Sequence, residues 1–548
     1  MGIEVEKSSE KKNEVSSVAS SAFRFSMGTL LSRITGMVRE QATAYFFGTS
    51  PFIAAFLIAT RFALLLRRLL GEGALLTGFI PKFEEKRLES EERAAHFFRE
   101  IHASLSWLLI FLLVCLESGL FLLWKAQLFS LPNQEILLMM MMILPSLFFI
   151  CLYALCSAFL QCKKRFFLPA VAPAVFNIAW ALAVLWVHFS WNAYVILGLS
   201  LSTILAYALQ WAVLVPSSMR FFGQFFAWTQ LFRMSLQFSE LKGLMRSVSL
   251  TALGLGASQI NGFLDILFAR FASLEGPAYL NYAMRIHQLP LALIGVAISS
   301  ALLPALSRAF KEKDTAHFQG LMSFGLKRVF TLIVPCTFAI FALGLSSVVL
   351  IYYRGCFHEG SVLHTTICLW GFGLGLLPMT VALLLNQGFY SRQEYRIPTM
   401  AALYSVALNL LLNVFFITVL QQGPELVTLS TSLAALFNVW FLYRKLTPYT
   451  GPLFSRATIK FIVKVLTAGS AAALGALFLG RQLGVDLSWD VAFWQSVSFP
   501  AAITAQGLQF LTMFGLFASF FILSAYFLNL QEIFQLVWKR KRPTVAES

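Results

Sequence analysis

Apolar runs of about 20 residues or more recur along the whole chain, each long enough for a helix to cross a hydrocarbon core ~30 Å thick. They lie at 19–47, 52–80, 98–124, 136–160, 166–187, 192–215, 244–272, 278–305, 324–351, 362–390, 397–420, 425–443, 461–480 and 504–530. The expectation is an all-α polytopic membrane protein of about 14 transmembrane helices. With 58% hydrophobic and 12% charged residues, the chain is far too apolar for a soluble enzyme. Residues 1–18 are polar and read as a disordered cytoplasmic segment, and the first apolar run lacks the small-residue cleavage site of a signal peptide. Helix breakers fall inside the runs (Gly28, Gly36, Gly71, Gly73, Pro145, Pro173, Pro290, Pro335 and Pro378), where kinks are expected.

The net charge of +16 is distributed in a way that speaks for orientation, not for nucleic acid. Lys and Arg crowd alternate loops: Lys82 to Arg99, Lys163 to Arg165, Arg220 to Arg246, Arg308 to Lys313, Arg392 with Arg396, Arg444 to Lys464, and Lys539 to Arg542. The intervening loops are nearly free of them, so both termini are placed in the cytoplasm. Seven cysteines, mostly within or beside the apolar runs, suggest neither a disulfide framework nor a metal site.

Internal repetition divides the chain. Ala74-Leu75-Leu76 ahead of one basic loop matches Ala301-Leu302-Leu303 ahead of another, and the stretch Phe159 to Pro169 matches Phe389 to Pro398. The spacing predicts two pseudo-symmetric six-helix lobes, an N-lobe at 19–215 and a C-lobe at 244–443, joined by a cytoplasmic linker at 216–243. Two further helices occupy 444–530, as a packing appendage or as a wall for a substrate with a long apolar part. A basic cytoplasmic tail covers 531–548. Paired lobes of this kind bind substrate near the midplane between them and work by alternating access.

Arginine within the apolar runs points to the cargo. A guanidinium at the bilayer centre costs roughly 2.5–3.5 kcal/mol on insertion scales and cannot shed its charge. Arg61 and Arg68 are placed to snorkel toward headgroups. Arg33, Arg39, Arg67 and Arg285 lie deeper, and converging guanidinium forks suit a phosphate or diphosphate. Asp265 is the main deep acid of the second half. Together with Asn409, Asn413, the Val427 carbonyl and Thr431 it offers an all-oxygen site for a monovalent cation such as Na⁺, or for a proton, with an interhelical hydrogen-bond network as the plainer reading. The glycines of 371–375 read as helix packing, and His287 as a packed histidine. No Gly-Lys dipeptide, HExxH or GxSxG occurs, so no ATPase, metalloprotease or hydrolase motif is present and no cofactor is expected.

Gly28-Thr29-Leu30-Leu31-Ser32-Arg33-Ile34-Thr35-Gly36-Met37-Val38-Arg39-Glu40 resembles the opening helix of the MurJ/MviN family of lipid II flippases. So does Leu65-Leu66-Arg67-Arg68-Leu69-Leu70-Gly71-Glu72-Gly73-Ala74. Weaker likenesses run through Arg165 to Pro173, Ser258 to Asn261, Tyr282 to Pro290 and Gly388 to Gln393. The resemblance implies the two-lobe fold of the multidrug and polysaccharide exporter superfamily. It also implies movement of the undecaprenyl-diphosphate-linked peptidoglycan precursor, lipid II, from the inner to the outer leaflet of a bacterial inner membrane, among membrane lipids and peptidoglycan-synthesis proteins. Substrate-site arginines map to Arg33, Arg39, Arg67 and Arg285, with Ser32 in the same cavity, and the last two helices to a lipid-tail groove. Four positions depart from the pattern: Ala54 and Met284 stand where acids are usual, and Ala63-Leu64 replaces a usual Pro-Asn. The alternatives are an exporter of another lipid-linked saccharide or amphiphile, and a non-transporting scaffold, which has no use for arginines in its membrane spans.

Overall fold

Pro145 marks the first break that can be checked against structure. In the computed structural model of the protein, the single apolar run 136–160 is two helices, bent by 44° at that proline. The structure describes residues 27–68, 73–190, 195–232, 256, 259–484, 499–530 and 533–534. Among them every regular element is helical, and the chain divides into two units, residues 1–263 and 264–548.

The first unit contains α1 (27–47), α2 (Pro51–Arg67), α3 (Gly73–Glu89), α4 (Glu91–Lys125), α5 (Leu131–Ile143), α6 (Ser146–Cys162), α7 (Phe167–Ser190), α8 (Val195–Ala212) and α9 (Val215–Phe222), then a 3₁₀ turn at Trp228–Phe232. Local sequence sets the helix starts. Ser50 accepts the Ile53 amide ahead of Pro51, and Ser90 accepts the Arg93 amide ahead of Glu91 and Glu92, whose charge suits a helix N-terminus. One end of this unit is an aromatic core: Phe79 stacks on Phe83 at 5.4 Å, and Phe222 lies 4.4 Å from Phe98 and 4.3 Å from Phe159. Trp107 Nε1 donates to the Phe232 carbonyl at 3.3 Å and fastens the 3₁₀ turn to α4.

Helix α10 (259–272) carries the boundary into the second unit, which continues with α11 (Gly276–Pro290), α12 (Val296–Lys311), α13 (Thr315–Tyr352), α14 (Glu359–Tyr390), α15 (Arg396–Asn413), α16 (Glu425–Thr450), α17 (Arg456–Gln482) and α18 (Phe499–Phe527). Pro290 is followed by a π turn at Leu291–Gly295, yet the helix runs on through it as one span, Gly276–Lys311, just as Pro335 and Pro378 lie inside helices that continue through them. Helix α14 packs against α11, α12, α13, α15 and α16. Its glycines permit close approach: a Cβ on Gly371 would fall 1.9 Å from Thr428 Oγ1, and one on Gly375 2.5 Å from Ser432 Oγ. Helices α17 and α18 pack on each other and on α13 through Ala472, Ala473, Ala476, Met513 and Phe517.

Ten described helices are long and apolar enough to cross a membrane, eleven with the bent pair counted as one span. The three remaining runs of the expected fourteen, 19–47, 52–80 and 244–272, each include residues outside the described ones. The internal likeness extends to the backbone. Helices α6 and α14 end alike, with Lys164 (φ 57°) and Gln393 (φ 60°) in the left-handed region and the next amide bonded back, Arg165 to the Leu160 carbonyl (2.8 Å) and Glu394 to Phe389 (3.1 Å). Each cap also presents cations to an aromatic ring of a later segment. Lys163 and Arg165 lie 5.5 and 5.4 Å from Phe221, and Arg392 lies 3.5 Å from Tyr449.

Candidate functional site

The arginines of the first unit are positioned by the way α1 lies on α7. A Cβ on Gly28 would fall 2.7 Å from that of Ala170, so only glycine allows this approach. One turn further, Asn177 Nδ2 donates to the Ser32 carbonyl (3.0 Å) and Thr35 Oγ1 (3.2 Å), and Trp180 Nε1 donates to Thr43 Oγ1 (3.3 Å). With that side committed, α1 presents Arg33 on an exposed face beside Leu30, Ile34 and Met37, while the Ser32 side chain is half-buried. Arg39 is half-buried, donates from Nη2 to Glu40 Oε1 at 2.5 Å and lies 5.6 Å from the Phe176 ring.

Arg67 is half-buried in the last turn of α2, and Arg68 is exposed just beyond it, which suits the snorkelling role expected of Arg68. Arg61 is half-buried on the same helix. Ala54 and Ala63, two of the positions that depart from the family pattern, are 0% and 2% exposed and pack as core.

In the second unit Arg285 is half-buried on α11, two residues from His287, which is buried with its ring 5.4 Å from Phe372. The packed-histidine reading of His287 fits this surrounding.

Asp265, 3% exposed, is the centre of the second unit's polar interior. Its Oδ1 accepts from Asn409 Nδ2 (3.0 Å) and Asn413 Nδ2 (2.9 Å), and its Oδ2 accepts from Thr431 Oγ1 (3.0 Å). Thr431 Oγ1 also lies 3.1 Å from the Val427 carbonyl. Thus α10, α15 and α16 converge all five residues of the expected cage. Asn413 Oδ1 is shielded and has no hydrogen-bond partner among the described residues, so a buried oxygen remains to be satisfied. Rotation of the two amides would turn their oxygens inward, completing a set of carboxylate, amide, hydroxyl and carbonyl donors that suits a hard cation. Among the described residues no cluster of three or more His, Cys, Asp or Glu could hold a metal of softer character.

The α7 contributions, Asn177, Phe176 and Trp180, escape sequence reasoning. They stand roughly 140 positions from their α1 partners, and no local spacing signals a contact at that range.

Long apolar helices, arginines within them and a buried oxygen-donor centre define a class, the multi-pass membrane transporter. The family model described as "Lipid II flippase MurJ" matches residues 43–497, and the chain belongs to that family. The chain is 31% identical over 524 residues to a probable lipid II flippase MurJ of Chlamydia trachomatis serovar D, covering 95% of this chain and 94% of the relative. It is 27% identical over 484 residues to a lipid II flippase MurJ of Burkholderia cenocepacia, covering 84% and 89%. A solved lipid II flippase MurJ in an inward closed conformation superposes with a TM-score of 0.72 at 23% identity, covering 93% of this chain and 99% of that one. An inward-facing multidrug resistance MATE transporter of the MOP superfamily gives 0.55 at 13% identity, covering 77% and 95%. These two share the fold.

Proposed function

We propose that the protein moves lipid II from the inner to the outer leaflet of the bacterial inner membrane by alternating access. Family membership over most of the chain carries this reading. Arg33, Arg39, Arg67 and Arg285 receive the diphosphate through forked hydrogen bonds, with Ser32 beside them. Arg39 also pairs with Glu40, which holds its guanidinium in place beside α1. With the cell interior negative, each headgroup charge that moves outward gains about 2.3 kcal/mol per 100 mV. Return of the empty, positively lined carrier is then the costly step, and the Asp265 centre couples it to a monovalent cation. Both termini lie in the cytoplasm, and no step is catalytic.

The decisive test is leaflet-resolved accessibility of lipid II in cells depleted of the protein and then restored. Restoration should return lipid II to the outer leaflet, and no change on restoration refutes the proposal. Arg67→Ala and Arg285→Ala should each remove about 1.5–3 kcal/mol of charge-assisted bonding, or ten- to a hundredfold in affinity. Lys should rescue them poorly because it lacks the planar fork. Full activity of both Ala variants would exclude an arginine-built site.

A further inference from the structure

Four side chains meet at the end of the second unit opposite the Arg392 loop, and the transport reading leaves all four unused. Glu425 opens α16, His364 lies in the second turn of α14, Tyr279 lies in the first turn of α11, and Glu275 immediately precedes it. His364 Nδ1 is in hydrogen-bond contact with Glu425 Oε1. The imidazole stacks on Tyr279, with centroids 4.9 Å apart and planes 22° from parallel. The Tyr279 hydroxyl in turn donates to Glu275 Oε2. The His364 side chain is 43% exposed and that of Glu425 16%, so protons reach the imidazole from water while the carboxylate is largely shielded.

Each flanking helix carries a functional group further along. Helix α11 leads to Arg285, and α16 to Val427 and Thr431 of the Asp265 centre. Between them stands α14, locked to α16 where Ser432 Oγ donates to the Gly371 carbonyl at 2.6 Å. His364 touches both neighbours at once, so at this end it bridges the arginine helix and the cation helix.

We propose that His364 is a proton-operated clasp tying the helix of Arg285 to the helix of the cation ligands. The functional consequence rests on reading the Asp265 centre as a cation site. An imidazolium pairs with the Glu425 carboxylate, and loss of the proton leaves only a neutral hydrogen bond. The clasp is fastened when the imidazole carries its second proton and loosens when that proton is lost.

The surrounding groups keep the assignment on His364. On α16 there is Glu425, on α11 Tyr279 and Glu275, and on α14 itself Glu359 and Cys368. Of the neighbouring cations, Arg270 of α10 donates to the Leu274 carbonyl at 2.6 Å, and Arg354 beyond α13 to Gln506 at 3.1 Å. In the orientation proposed above this end faces the outer medium.

The test is hydrogen exchange on the full chain in lipid nanodiscs, with wild type, His364→Gln and Asp265→Asn compared at about pH 5.5 and 8 after correction for intrinsic rates. Without Na⁺, the amides of 425–431 in wild type should be protected about fivefold more at the acid pH, the difference between a charged and a neutral bond. His364→Gln should remove that difference, and equal pH dependence in the two proteins overturns the clasp. Na⁺ in place of choline should protect 425–431 in both proteins at acid pH but reach 276–290 only in wild type. Equal spread in His364→Gln overturns the coupling. If Na⁺ protects neither segment in wild type, or protects them undiminished in Asp265→Asn, the cation reading fails. The pH comparison then still decides the clasp.

Discussion

Asp265→Asn separates ion ligation from packing more cleanly than any other change in the second unit. The carboxylate accepts three hydrogen bonds, from Asn409, Asn413 and Thr431. Asparagine keeps one oxygen for the two amides. Its new amide faces Thr431 Oγ1, which can accept once its single proton turns from position 265 to the Val427 carbonyl at 3.1 Å. No buried group is orphaned. Three charge-assisted bonds become neutral ones, a loss of about 1 kcal/mol each. Against this, a buried carboxylate no longer has to be desolvated, a relief of several kcal/mol. The two changes oppose each other, so stability without the ion should stay within about 2 kcal/mol of wild type.

The ion-dependent part behaves differently. A cation at about 100 times its Kd stabilises the folded state by about 2.7 kcal/mol, and a protein that cannot bind it gains nothing. Thermal unfolding in detergent, with Na⁺ titrated against choline at constant ionic strength, reads both quantities. Wild type should rise with Na⁺ and Asp265→Asn should stay flat, starting from a similar baseline. A Na⁺-dependent rise retained in Asp265→Asn would refute ion ligation by the carboxylate. A collapse of the baseline would refute the hydrogen-bond accounting and make the network structural.

Gly371→Ala should cost about 1–3 kcal/mol by forcing α14 from α16, whereas Gly320→Ala, with nothing within 4 Å of its new methyl, should be neutral or stabilising by up to about 1 kcal/mol; unfolding midpoints that rank the two in reverse would contradict the packing. Cys356 is exposed with a free thiol and should react with an impermeant thiol reagent on whole cells, while a cysteine introduced at Ser90 should react only after permeabilisation. The opposite pattern inverts the proposed topology.

How much was legible in the sequence depends on the range of the interaction. Helix α4 follows from Ser90, two glutamates and an uninterrupted apolar run, all local, and the break at Pro145 follows from a ring with no amide to donate. The likeness of the α6 and α14 ends was visible because a cap is a short motif: its left-handed residue and its returning hydrogen bond lie within six positions. The Asp265 group was legible for another reason. A deep acid must find polar company, and few polar side chains are available in the apolar helices around it. The α7 side of α1 was not legible, since an asparagine and two aromatics carry no mark of which helix they will meet. The same holds for His364, which lies near the edge of an apolar run and declares nothing until α11 and α16 are set beside α14. Its stacking partner and its carboxylate come from positions 85 residues before it and 61 residues after it. Residues whose roles require two long-range neighbours together are those that sequence patterns cannot supply, and a side chain linking two sites has to be of that kind.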